Sequence, residues 1–291
     1  MIGYSNGIEV KLLKVDLKGC PTLPQWVGAI TSSELLEDGS EIYLPDYSLR
    51  VYIQNRVRIQ DYYQYQVIDK TGFPSQPVVA QNAIYAAGTY YSTIFHDLLD
   101  QDIQFGSRMG IRSFSILPLT RGFKKTQLIN GLLEEMNFRL YSNETDSTYI
   151  LEERNYTPIY QVNTYVQESF SNELSPNHFT ISSYTGLKTY VFDVEDVNYN
   201  GTIYSDPITS YLLFTLEDLV KLGKKQLERS MGLRKSFFLT IKDTDLTDLS
   251  THLGSCWMVN SQLARINAID ISLGKLSIRG YYINEANYAS N

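Results

Sequence analysis

Long apolar runs are missing from this chain. No segment approaches the roughly 18–20 consecutive apolar residues that a membrane-spanning helix needs, so no such span is expected. Cysteine is nearly absent. Cys20 and Cys256 stand far apart with no histidine cluster beside either, which argues against a zinc-type ligand set and favours two reduced, partly buried thiols over a disulfide. The three histidines, His96, His178 and His252, lie more than seventy residues apart, and each reads as a surface or hydrogen-bonded residue. Positive charge is also short: 25 Lys and Arg face 32 carboxylates, a net charge of −7. A groove built for nucleic acid shows the opposite sign. The densest basic stretches, Lys124-Lys125, residues 221–225 and Arg234-Lys235, read as solvated helix faces or strand ends.

Catalytic signatures are absent too. A G-x-S-x-G elbow, a P-loop and an H-E-x-x-H helix do not occur. The G-x-x-x-G spacing of Gly106 and Gly110 sits in no βαβ context and reads as a loop. Glu134-Glu135 and Glu152-Glu153 are adjacent in sequence, so their side chains point apart and neither doublet makes an acid–base pair. Asp243, Asp245 and Asp248 have the spacing of a calcium loop without its glycine and glutamate, and read as a solvated turn. No catalytic, cofactor-binding or metal-binding residue is assigned, no cofactor is expected, and the chain is read as not an enzyme. Residues 1–15 mix early polar residues and two lysines into their apolar stretch, unlike a signal peptide. Synthesis in a cytoplasm without export by that route is the expectation.

What is present is β-rich pattern and tyrosine. The 291 residues suffice for two domains or three small ones, and 43% are hydrophobic. Tyrosine numbers 23 against two tryptophans, which suits strands and subunit interfaces, although AT-rich codon bias has the same effect. Alternation at Ile8, Val10, Leu12, at residues 42–44 and through residues 48–68 predicts at least four strands of an antiparallel barrel or sandwich within residues 1–80. Residues 113–117 read as one strand, and residues 93–99 as a candidate helix. Leu128, Ile129, Leu132, Leu133 and Met136 repeat at helical spacing behind Thr126, and a hairpin follows with its turn at residues 142–146. Strands are expected at residues 160–165, 178–182 and 189–194, with a hairpin turn at Asn198-Tyr199-Asn200-Gly201.

A second helix starts at Thr215, where Asp218 makes a shortened capping box, and stops at Met231-Gly232. Leu216, Leu219, Val220 and Leu227 mark its apolar face; Lys221, Lys224, Lys225 and Glu228 mark the other. Four alternating strands follow, around Phe237, Cys256, Ile269 and Leu276, with a tight turn at residues 273–275. No internal repeat of 20–50 residues, linker or low-complexity tract is visible.

The order of these patterns resembles phage tail hub proteins: the baseplate hubs of contractile phages, late-control D-type proteins and the hub half of type VI spike proteins. The stretch "HLGSCWMV" at residues 252–259, the exit "INAIDISLGKLSIRGYY" at 266–282, and the upstream "KTQLINGLLEEMNFRLYSNETDSTYILEE" carry the likeness, over residues 125–283. The resemblance implies an α+β, mainly β fold with two small antiparallel β-barrel domains joined by a mixed helix and hairpin insert. On it, residues 1–124 are a β-barrel-like domain, 125–214 the middle region, and 215–291 a helix plus the C-terminal barrel. It further implies a structural virion protein of the tail or baseplate. Three copies would form a pseudo-sixfold ring between the hexameric tail tube and a spike or tip, and DNA would pass through without specific binding. The alternatives are a virion carbohydrate-binding module, a collar or connector ring protein, and an enzyme whose carboxylate dyad sequence spacing does not show.

Overall fold

The computed structural model describes residues 2–3, 10–13, 26–44, 49–69, 84–85, 89–99, 103–105, 113–114, 117–118, 129, 132–134, 138–143, 148–171, 175–183, 185–210, 215–232, 234–242, 245–246, 249–272 and 275–290. The chain opens with β1 (Ile2–Gly3), β2 (Val10–Leu13), β3 (Val27–Ser32), β4 (Glu41–Leu44), β5 (Leu49–Ile59) and β6 (Tyr62–Asp69). Short strands β7 (Ile84–Tyr85) and β8 (Thr89–Tyr90) lead to α1 (Tyr91–Leu99), then β9 (Ile103–Phe105), β10 (Ser113–Phe114) and β11 (Leu117–Pro118). A hairpin of β12 (Phe138–Asn143) and β13 (Thr148–Glu153) precedes β14 (Pro158–Val162), β15 (Gln167–Phe170), β16 (His178–Ser183) and β17 (Lys188–Asp193). Next come α2 (Val194–Asn200), β18 (Ile208–Ser210), α3 (Leu216–Gly232), β19 (Lys235–Lys242) and α4 (Leu249–His252). The chain closes with β20 (Cys256–Val259), β21 (Gln262–Ser272), β22 (Lys275–Tyr282) and β23 (Tyr288–Ser290). The fold is mainly β and of α+β type.

Twelve strands make one large sheet, and within it the same six-strand arrangement occurs twice. The first unit runs β1-β4-β5-β6-β3-β2; the second runs β14-β20-β21-β22-β19-β15. Numbered by chain order inside each unit, both sequences read first, fourth, fifth, sixth, third, second. The directions agree as well. The first and fourth strands are parallel in both units, and every other neighbouring pair is antiparallel. Even the irregularities match: the fifth strand bulges between Ile53 and Asn55 in one unit and between Ile266 and Ala268 in the other. The parallel pairs make each unit a mixed sheet, where an antiparallel one was expected.

Among the described residues no sheet closes into a hydrogen-bonded barrel. The second unit is nevertheless curled. Its edge strands β14 and β15 are consecutive, joined by residues 163–166, a link that spans at most about 18 Å when fully extended. A flat sheet of six strands would hold its edges about 24 Å apart. The two units join where β2 lies antiparallel to β21, with Leu12 opposite Ile271 and Leu13 opposite Asp270. Alternate residues of both units, among them Val51, Ile53, Val67, Leu239, Ile266 and Ile278, bury into one shared core, as period-2 alternation requires.

A second core lies between α3, the hairpin β12–β13, α1 and the four-stranded sheet β18-β16-β17-β23. Ile129, Leu132 and Leu133 are helical and buried there, as their spacing predicts; Thr126, Leu128 and Met136 lie outside the described residues. Helix α1 fits the helical reading of residues 93–99. The single strand expected at residues 113–117 is two short pieces, β10 and β11, paired with β8 and β7 respectively. The expected turn at residues 142–146 starts later, since Ser142 and Asn143 still pair in β12; residues 144–147, like 273–274, lie outside the described residues.

The hairpin turn expected at residues 198–201 is overturned: these residues end helix α2 and its C-cap. Asp193 Oδ1 accepts from the Asp196 N–H at 2.8 Å, and Gly201, at φ 77°, caps the other end. The Asn-Gly pair that suits a tight turn also suits a helix stop, and the N-cap carboxylate decides between them.

Helix α3 packs so closely on β17 that a Cβ on Gly223 would stand 2.4 Å from Val191 Cγ2. Gly223→Ala gains about 1 kcal/mol of helix propensity but overpacks a stiff β-branched neighbour. Overpacking costs about 1–3 kcal/mol, so the expected net loss is about 0–2 kcal/mol in a denaturant melt, the overpacking part being relieved by adding Val191→Ala.

Candidate functional site

The helix that carries the site starts as predicted. Thr215 Oγ1 accepts from the Asp218 N–H at 3.1 Å and donates to Asp218 Oδ2 at 2.6 Å. Leu219, Leu222 and Leu227 are buried, whereas Leu216 is exposed. Lys225 and Glu228, expected on the solvent face, are each only 2% exposed. The reason is that α3 is enclosed on two sides, by the four-stranded sheet and by the elements around residues 129–153.

Glu228 is the centre of a buried ion cluster. Arg265 of β21 binds it with two bonds, Nε to Oε1 at 2.9 Å and Nη2 to Oε2 at 3.0 Å. The Tyr281 hydroxyl of β22 donates to Oε1 at 2.8 Å, and Arg154 Nη2 stands 3.4 Å from it. Arg265 Nη1 also donates to the carbonyls of Asn155 and Gly254, each at 3.1 Å. One guanidinium thus ties α3, the bend before β20 and the segment before β14 to a single strand. Burial opposes ionisation of Glu228, but Arg265, Arg154 and the Tyr281 hydroxyl outweigh it and pull the carboxyl down from 4.5 to about 2. The same burial and the adjacent carboxylate push the Tyr281 hydroxyl well up. Burial raises the Cys256 thiol, which is free and buried, as expected for a reduced cysteine; Cys20 lies outside the described residues.

Three further cations join elements distant in sequence. Lys225 Nζ donates to the carbonyls of Leu133 and Glu134, at 2.8 and 2.6 Å. Arg139 of β12 pairs with Glu152 and donates to the carbonyls of Thr251 and Leu253. Arg234 pairs with Asp196 of α2 and donates to the Ser175 carbonyl.

Among the described residues, none of the chemical candidates converges with another. His96 is exposed on α1, His178 packs among Phe192, Tyr190 and Tyr204, and His252 lies against Tyr160 and Trp257. Glu134 faces Arg229 at 3.6 Å, and Asp245 is exposed. Glu135, Gly106, Gly110, Asp243 and Asp248 lie outside the described residues, among which no group of three metal-ligating side chains occurs. A cleft of about 570 Å³ opens between α2 and the end of β22, beside Asp193, Asp196, Tyr199, Lys235, Tyr282 and Asn287. Its carboxylates already serve the scaffold: Asp193 caps α2, and Asp196 binds Asn177, Asn200 and Arg234. The surfaces that stand out are sheet edges. All four residues of β15 are exposed, and so is nearly all of the far half of β5.

No family model matches the chain, and no curated protein matches it by sequence. Solved structures do. The 43 kDa tail protein of prophage MuSo2 from Shewanella oneidensis superposes with a TM-score of 0.68 at 13% identity, covering 98% of this chain and 96% of that one. A tail protein from Neisseria meningitidis MC58 gives 0.67 at 11% identity, over 96% and 93%. Prophage tail protein gp18 from Listeria monocytogenes EGD-e gives 0.64 at 8% identity, over 95% and 88%. The chain has the fold of phage tail proteins. The likeness to tail proteins read from the sequence is therefore borne out, and this tail-protein fold extends through the N-terminal strands, beyond the residues that first carried the likeness.

The ion cluster around Glu228 sets how the chain's stability depends on pH. Glu228→Gln leaves Arg265 buried with half its partner lost, at an expected cost of about 3–5 kcal/mol at neutral pH. A depressed carboxylate contributes stability above its unfolded value, and loses it as pH falls through its folded value. Stability of the natural chain should therefore drop between pH 4.5 and about 2 more steeply than that of Glu228→Gln, measured by urea titration at each pH.

Proposed function

We propose that this chain is a structural hub subunit of a bacteriophage tail, with three copies forming a pseudo-sixfold ring. The observation that carries this reading is the doubled six-strand unit, identical in strand order, direction and bulge position. A threefold assembly of such chains presents six like units around its axis. That is the arrangement needed to meet a hexameric tail tube on one side and a trimeric spike or tip on the other. The curl of the second unit supports treating residues 215–291, with β14 and β15, as one small barrel and residues 1–124 as its counterpart. Residues 125–214 are then the insert between them. The fold shared with tail proteins supports placement in the virion tail or baseplate after synthesis in the host cytoplasm.

The net charge of −7 suits a channel that repels DNA and lets it slide. The reading involves no catalysis, cofactor or metal. A virion carbohydrate-binding role has one observation in its favour: Tyr190 and Tyr204 are 37% and 69% exposed beside His178 on the outer face of the four-stranded sheet.

The deciding experiment is the mass of the purified chain together with electron microscopy of the native particle. Three copies around one axis, each placing two units against a sixfold tube, are expected. A ring of six or twelve copies would make it a connector, and a monomer that binds glycans would make it a carbohydrate module.

A further inference from the structure

The doubled unit points to the residues that join one copy to the next. Inside the chain, the second strand of the first unit, β2, pairs antiparallel with the far half of the fifth strand of the second unit, β21. Among the described residues the reciprocal pair is open. In the second unit the second strand is β15, which ends the sheet. In the first unit the fifth strand is β5. There β4 covers only Leu49 to Tyr52, and residues 54–58 beyond the bulge are exposed. The Arg56 N–H is taken up by the neighbouring Asn55 side chain at 2.8 Å. Long free edges of this kind seek a partner strand.

The register of the missing pair follows from the ladders already present. The matching bulges set Val67, opposite Ile53, equivalent to Gly280, opposite Ile266. Gly28 pairs with Val67, and Phe237 with Gly280. Leu12 pairs with Gly28, and Glu168 with Phe237. Leu12 and Glu168 are therefore equivalent, and counting from the bulge makes Ile271 equivalent to Arg58. Where the chain sets Leu12 opposite Ile271, the open junction sets Glu168 opposite Arg58. Where it sets Leu13 opposite Asp270, the junction sets Ser169 opposite Val57.

We infer that β15 of one copy adds antiparallel to residues 54–59 of β5 in a second copy of this chain, with Glu168 opposite Arg58. This rests on the ring reading above and names the interface that closes it. Arg58 Nε reaches the Gln60 carbonyl at 3.3 Å. Glu168 is hydrogen-bonded to the Tyr282 hydroxyl and stands 3.9 Å from Lys235, and its second carboxylate oxygen can take a partner across the junction. Opposite charges directly across an antiparallel pair favour that register over its neighbours. Because the two surfaces differ, the contact is head-to-tail, and repeating it produces a ring when the rotation closes.

Paired cysteines test the register. Glu168→Cys with Arg58→Cys should oxidise to a covalent ladder ending at three copies, while Phe170→Cys with Arg58→Cys, two residues out of register, should not. Glu168→Arg and Arg58→Glu should each lose the trimer by mass measurement, and the two together should restore it. Trimers without the in-register cross-link, or charge exchange that fails to restore assembly, would overturn the junction and leave the ring standing. A chain that stays monomeric and uncross-linked would overturn both.

Discussion

A carboxylate and a guanidinium held almost out of solvent are costly to desolvate, and their attraction compensates only when the geometry is good and the remaining polar atoms are satisfied. Glu228 and Arg265 meet those conditions with two parallel bonds, a tyrosine hydroxyl on the carboxylate and two backbone carbonyls on the guanidinium. The partners come from α3, β21, β22 and the segments at residues 154–155 and 254, so none of these can shift without stranding a buried charge. Apolar packing would tolerate a range of positions for α3 against the large sheet; a bidentate pair tolerates one.

The other cations extend that constraint outward. Lys225 holds the helical residues 132–134, Arg139 holds the bend through Thr251 and Leu253, and Arg234 holds α2. The smaller core around α3 and the larger core of the sheet are thereby locked to each other by hydrogen-bonded charge as well as by contact. Tyr281 belongs to both arrangements: its ring lies where a Cβ on Gly232 would fall, 2.4 Å away, while its hydroxyl reaches Glu228. A rigid joint of this sort suits a part that transmits load through an assembly.

Local pattern made much of the fold legible. The strands around Val51, Phe237, Cys256 and Leu276 were readable because half-buried strands alternate, and α3 was readable from Thr215 and Asp218 at its start. Features set by distant partners were not. Lys225 and Glu228 look like a solvated helix face until the elements around residue 133 and Arg265, which enclose them, are known. Asn200-Gly201 permits two local structures, and Asp193, well upstream, chooses. The doubled unit is not visible as a sequence repeat because its second copy is interrupted between β15 and β19 by three strands and two helices, so no fixed period survives in the sequence. Sequence could only count the histidines and carboxylates; those among the described residues stand apart in the folded chain.

Carrying the unit twice in one polypeptide has an evolutionary consequence. When identical single-unit subunits build a ring, every substitution is stamped onto every position at once. A fused pair is released from that rule, and matching places can diverge. Leu12 and Glu168 occupy such matching places. The first pairs with Ile271 within one chain. The second lies on an exposed edge strand and is a charge.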